Sequence, residues 1–168
     1  MITSTIEIAA PPAKVREIVR TETAGDHSGA GTLTQFRPQL LNFSAYPEWH
    51  TEWLKEIKPT DGKRPQDLAS GDKIDVNIEN FKFVAEVKQT KENNESLFSW
   101  QGPPVFTIAG LHKFHIEPAN DGASTIFTQT EDLKGLLAFI MSPSLLGKKM
   151  RAHFDIFHQD LKARAEQA

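Results

Sequence analysis

The chain contains no cysteine. That excludes disulfides, thiolate metal sites and a cysteine nucleophile, and it fits a reducing compartment. Neither sign of charge dominates: 19 Lys and Arg stand against 22 Asp and Glu, a formal −3. This balance gives no electrostatic reason to expect nucleic acid or an anionic membrane as a partner. No apolar run approaches the roughly 20 residues that cross a bilayer. The N-terminal residues carry no basic stretch ahead of an apolar run, so we read no signal peptide and expect a soluble, cytoplasmic protein. There are no internal repeats.

Several chemistries lack their spacing. His112 and His115 fall on opposite faces of one predicted strand, and His153 and His158 are about 140° apart around a helix. No HxH or HExxH pattern exists, so we expect no metal and no cofactor. The glycines between Gly25 and Gly31 lack the lysine and the strand-to-helix context of a phosphate loop. Asp26, His27 and Ser28 are adjacent, and adjacent residues do not readily form a triad.

What is present is an ordinary globular composition, 39% hydrophobic and 24% charged over 168 residues, enough for one domain spanning 1–168. Leu146, Met150, Phe154, Phe157 and Leu161 recur at spacings of four, four, three and four, the stripe of a long amphipathic helix. Lys148, Lys149, Arg151, Asp155, Gln159, Asp160, Lys162 and Arg164 take its other face. Ser142-Pro143 reads as its cap and first residue. The helix then runs to Glu166, about 36 Å at about 1.5 Å per residue. The preceding residues 135–141 are apolar nearly all round, either a buried helix or a cavity wall.

Strands supply the surface such a helix needs. Ile2, Ser4, Ile6 and Ile8 alternate with polar residues. Ala10-Pro11-Pro12 ends that strand and opens a short helix to about Arg20. Ser44 or Tyr46 leads into a second short helix with Pro47 in its first turn, and Trp49 and Trp53 are expected to share its face. Residues 56–59 read as an edge strand, because Pro59 cannot donate to a ladder. Asp61-Gly62 and Ser70-Gly71-Asp72 mark turns. Ile74, Val76 and Ile78, then Phe83, Ala85 and Val87, alternate as two further strands joined to a third by a turn at 92–95. That third strand carries Phe98 and Trp100 on one face. Residues 105–118 are expected to be the longest strand, with Phe106, Ile108, Gly110, His112, Phe114 and Ile116 on one face. Asn120-Asp121-Gly122 turns the chain into a return strand with Phe127, Gln129 and Glu131 on one face. About seven hairpin-connected strands with segregated helices mean an α+β fold, a curved antiparallel sheet around the terminal helix.

That order resembles the helix-grip pattern of the START/Bet v 1-like (SRPBCC) superfamily, and within it the polyketide cyclase/dehydrase-like branch. The residues that carry the resemblance begin with Ile6-Glu7-Ile8-Ala9-Ala10-Pro11, Tyr46-Pro47-Glu48-Trp49-His50 and Trp100-Gln101-Gly102. They continue with Gly110-Leu111-His112-Lys113-Phe114, Gln129-Thr130-Glu131 before Gly135-Leu136-Leu137, and Leu161-Lys162-Ala163-Arg164-Ala165-Glu166. It covers nearly the whole chain and is specific for fold rather than activity. It implies a hydrophobic small molecule (polyketide, aromatic or lipid-like) held between sheet and helix. The residues expected to contact it are Trp49, Trp53, Phe83, Phe98, Trp100, Ile108, Phe114, Phe127, Leu137, Met141, Met150 and Phe154. The alternative is a cofactor-independent cyclase or dehydratase; whether the protein is an enzyme stays open here.

For that chemistry His112 is the candidate acid/base, with Glu131 or Gln129 orienting it. A four-residue turn at 119–122 sets His112 opposite Gln129; a six-residue turn at 119–124 sets it opposite Glu131. Either way a histidine, an amide and a carboxylate converge among apolar walls, where burial and a partner tune proton transfer. The competing reading is a hydrogen-bonded core histidine.

One stretch departs from the pattern. About twenty extra residues, 20–41, stand where the ordinary connection is about four to six. They are glycine-rich and without periodicity, which suits a surface loop, a lid beside the cavity mouth or an unspliced intron in the gene model. We favour the intron slightly. Sequencing the transcript decides: a spliced message that keeps these codons excludes it.

Overall fold

The structure is a computed structural model of the chain that describes residues 1–18, 46–50, 52–64, 67–79, 81–89, 97–104, 107–135 and 146–167. The insertion at 20–41, the turn at 92–95 and the segment 136–143, with its predicted helix cap, lie outside them.

Seven strands are described: β1 (Ile2–Ile8), β2 (Leu54–Pro59), β3 (Lys73–Ile78), β4 (Phe81–Gln89), β5 (Leu97–Gln101), β6 (Ala109–Ala119) and β7 (Ser124–Lys134). They form one antiparallel sheet in the order β1-β7-β6-β5-β4-β3-β2. Strands β2 to β7 follow one another, and β1 closes on β7. Pro59 therefore sits on an edge strand, where a missing N–H costs nothing. Register shifts at Leu54/Glu56 and Val87/Gln89 add bulges, which bend and twist a sheet. Helices α1 (Pro12–Ile18) and α2 (Tyr46–Trp49) follow β1, and α3 (Leu146–Gln167) ends the chain. This is the helix-grip α+β architecture.

Alternation decides which side chains reach the concave face. Ile74 and Val76 of β3, Ala85 and Val87 of β4, His112, Phe114 and Ile116 of β6, and Thr125, Phe127, Gln129 and Glu131 of β7 are all buried. The β6–β7 turn is tight. Asn120, Asp121 and Gly122 have φ of 50°, 54° and 85°. Asn, Asp and Gly tolerate this left-handed region best, so the sequence fixes the turn and with it the register.

Helix α3 lies against that face with Phe154, Phe157 and Leu161 of its apolar stripe fully buried and Met150 partly so. It is fastened along its length. Lys149 and His153 reach Glu79 at 3.2 and 2.9 Å. His50 Nδ1 lies 2.7 Å from Asp160, and Ser4 donates to Asp155 at 2.6 Å. Lys162 donates to the Glu7 carbonyl at 2.9 Å, and the Ala9 N–H donates to Glu166 at 2.8 Å. Among the described residues no helix is long and apolar enough to cross a membrane.

Two expectations change. Helix α2 stops at Trp49, so Trp53 does not share a helix face with it but sits in the bend before β2. Both indoles still meet the Phe157 ring, at 5.2 and 6.5 Å. The long strand begins at Ala109 rather than Val105, because Thr107 has φ 71° and breaks the extended run.

His158 is buried beneath α3, edge-on to Phe127 at 5.1 Å, with Nδ1 3.4 Å from Ser4 Oγ. Burial pushes its pKa down from 6.5 to about 4, against the opposing pull of Asp155. The unfolded chain thus takes up a proton that the folded chain refuses. His158's share of stability is intact above about pH 6.5 and is lost as pH falls toward 4, in total on the order of 3 kcal/mol. In urea unfolding across that window, His158→Leu should flatten the pH slope; a slope equal to the wild type's would place the titration elsewhere.

Candidate functional site

The register of the sheet assembles the site. Val87, Trp100, His112, Glu131 and Ile2 are cross-strand neighbours in one row over five strands. The next row holds Phe98, Phe114, Gln129 and Ser4. Direct pairing brings Glu131 to His112, and the diagonal brings Gln129. This is the register of the six-residue turn, and it delivers both expected partners.

His112 Nδ1 lies 2.7 Å from Glu131 Oε2, and Gln129 Nε2 lies 3.0 Å from His112 Nε2. The Gln129 amide N–H donates to Nε2, which leaves the Nδ1–H to donate to Glu131. His112 is 4% exposed, Glu131 9% and Gln129 0%. Gln129 Oε1 is buried with no partner. Aromatic rings enclose the imidazole: Trp100 at 4.2 Å, Phe114 at 5.0 Å, Phe154 at 5.4 Å and Trp53 at 5.7 Å. The arrangement is a buried histidine–carboxylate pair, able to accept and return a proton if Gln129 yields Nε2.

Gly110 makes room for it. A Cβ at Gly110 collides with Glu131 Oε1, so only a bare backbone lets the carboxylate lie flat beside His112. Gly102, bonded to Gly110 through its N–H at 3.0 Å, is likewise covered by Phe83, whose ring would stand 3.5 Å from a Cβ there.

The site divides the concave face. On one side Phe114, Ile116, Phe127, Phe154, Phe157 and Leu161 are sealed ring on ring. On the other, Ile78, Phe83, Ile108, Leu133 and Met150 are only partly buried, and Phe81 is 57% exposed. Phe81 and Phe83 touch at 5.6 Å. Of the expected contact residues, Trp53, Phe98, Trp100, Phe114, Phe127 and Phe154 are thus in the core, Phe83, Ile108 and Met150 on the open side. Trp49 is half-buried against Tyr46 and Phe157. Leu137 and Met141 lie outside the described residues.

Sequence reasoning missed the supports. His50 is fully buried; its Nε2 accepts the N–H groups of Trp53 and Leu54 at 3.3 and 3.2 Å while Nδ1–H donates to Asp160. The Trp53 carbonyl accepts from Glu79 N–H at 2.8 Å. With both backbone groups held, the Trp53 ring stays between His112 and His153, 6.0 Å from the latter. Burial lowers the His153 pKa, with Glu79 opposing. The only local signal was His50 closing the Tyr46-Pro47-Glu48-Trp49 run.

No family model matches the chain, and no curated protein matches it in sequence. Solved structures do match. A START superfamily protein from Mycobacterium smegmatis is 20% identical, with 99% of this chain and 97% of that one covered and a TM-score of 0.61. The Zhui aromatase/cyclase from Streptomyces sp. R1128 is 11% identical over 99% and 93%, with a TM-score of 0.58. Truncated norcoclaurine synthase from Thalictrum flavum is 10% identical over 99% and 93%, with a TM-score of 0.61. At these identities the likeness is one of fold: the chain has the helix-grip fold that START-like proteins share with these enzymes.

Gly110→Ala tests the geometry. The added methyl should drive Glu131 off His112 at a cost of about 1–3 kcal/mol, as overpacking does. Long-range ¹⁵N–¹H spectra of His112 should then lose the hydrogen-bonded Nδ1 signature; an unchanged ring spectrum would mean the carboxylate is held by something else.

Proposed function

We propose that this protein binds a hydrophobic small molecule between the sheet and α3, on the partly covered side of the concave face. The observation that carries the reading is the division of that face. Its sealed half is a finished core, whereas its other half leaves apolar side chains unfinished beside three converging polar groups. A largely apolar recess with few placed polar groups is the common form of a small-molecule site. Two structural neighbours, a START superfamily protein and an aromatase/cyclase, support the same reading.

The 2.7 Å His112–Glu131 pair favours a second reading, a cofactor-independent cyclase or dehydratase. His112 Nε2 would take a proton from a carbon beside a carbonyl. The resulting carbanion would close a ring on a second carbonyl, and the imidazolium would return the proton to the new alkoxide. Glu131 would orient the ring and stabilise its charged form. Gln129 would act as the positioning residue.

Native mass spectrometry and thermal-shift melts against a hydrophobic library test the first reading. A bound compound that raises the melting temperature is expected, and a library without binders removes it. His112→Phe separates the two. Leaving Glu131 and Gln129 without their partner should cost roughly 1–3 kcal/mol in either case. For an enzyme, turnover should fall by a factor of about 10² to 10⁴ with binding retained. For a carrier, no product forms with either protein.

A further inference from the structure

We propose that Glu79 positions this site from outside it: its charge draws His153 against Trp53, the indole beside His112, and for that role it occupies a backbone conformation that suits glutamate poorly. The inference rests on the ligand-binding reading of the concave face and adds a remote positioning residue to it.

The strain is local. Ile78 pairs with Phe81, so two residues join β3 to β4. Glu79 is the first of them and has φ 52°. A turn this short with a left-handed first residue favours Asn, Asp or Gly there. Any other side chain sets its Cβ against the following carbonyl, without the short polar group that lets Asn or Asp bond locally. Asn120, Asp121 and Gly122 follow that preference in the β6–β7 turn, and Glu79 does not. Strained residues persist where their surroundings hold them, and such positions gather at functional sites.

Reach explains the choice of glutamate. Glu79 Oε2 accepts from Lys149 at 3.2 Å, and Oε1 lies 2.9 Å from His153 Nε2. As stability these contacts do not offset the strain: Lys149 is 66% exposed and Glu79 38%, and exposed ion pairs add little. What they fix is a direction. The His153 ring stacks on Trp53 at 6.0 Å with 29° between the planes, and the Trp53 ring lies 5.7 Å from His112. The Glu79 N–H also donates to the Trp53 carbonyl at 2.8 Å. One residue therefore holds both the backbone of Trp53 and the ring stacked on its indole. A shorter side chain at this position keeps the first hold and loses the second.

Glu79→Asn and Glu79→Gln separate strain from positioning. Asparagine suits the left-handed turn but does not reach α3; glutamine keeps the reach and the strain but not the charge. The asparagine variant should melt about 2–4 °C above the wild type, the shift that a modest stabilisation gives a domain of this size, and the glutamine variant should not. In both, NOEs between the His153 and Trp53 rings should weaken and the His112 ring signals should move. Affinity for 1-aminoanthracene, a neutral fluorescent probe of apolar sites, should fall roughly twofold to tenfold in both, as when one more side chain has to be ordered on binding. A lower melting temperature in the asparagine variant makes Glu79 an ordinary stabilising tie and overturns the inference. Unchanged ring contacts in either variant overturn it too, as does wild-type affinity in both. A wild type that binds no probe counts against the ligand-site reading, and the melting and ring contacts still decide whether Glu79 positions Trp53.

Discussion

Everything in the concave face depends on the pairing of β6 with β7 in one register. Side chains alternate across a strand, so a slip of one residue would turn His112, Phe114 and Ile116 to the convex side and bring Lys113 and His115 beneath α3. Two independent constraints prevent it. The turn at Asn120, Asp121 and Gly122 has three consecutive left-handed residues, and Asn, Asp and Gly are the residues that tolerate that conformation best. The apolar residues then have to find cover: Phe114 stacks on Phe127 and Phe157 only when they face inward. The site is a by-product of that core. His112, Glu131 and Gln129 occupy inner-face positions that a purely structural sheet would give to Val or Leu.

The cost of polar groups in these positions is contained by placement. Each of the three histidines buried in the described core has a different solution. His112 is bonded at both nitrogens. His50 serves as a splice, its Nε2 receiving two backbone amides and its Nδ1–H reaching a half-exposed aspartate. His158 has only a long contact to Ser4 and leaves Nε2 without a partner, which is why burial depresses its proton affinity. Of these, His112 alone borders the partly covered half of the face.

The fold was legible because it is written in local period. Alternation identified the strands, the stripe of Phe154, Phe157 and Leu161 identified α3, and strand parity alone put His112, Gln129 and Glu131 on one face. Which of the two would stand opposite His112 depended on one turn, so the sequence left two registers. The structure takes the one with Glu131 opposite and keeps Gln129 on the diagonal. What periodicity does not carry is a contact between distant polar residues. His50 and Asp160 are 110 residues apart, and neither spacing nor hydropathy links them. Nothing in the strand pattern marked out Gly110; its purpose appears only when the neighbouring strand delivers a carboxylate to the same spot. Trp49 and Trp53 sit four apart, but a four-residue helix is too short to hold both.

The fastenings of α3 also have a mechanical meaning. They lie at Glu79, His50, Ser4, Glu7 and Ala9, spread from one end of the helix to the other and over both edges of the sheet. A lever needs one free end, and this helix has none among its described residues. Swinging it away as a rigid body would load every tie at once, together with the interlocked rings beneath. Compliance is left to single side chains such as Phe81, Phe83 and Met150, whose rotation breaks no tie to the helix. Among the described residues the grip is therefore stiff as a frame and soft at one rim, and the room that rim can open is measured in side chains, not in helix displacements.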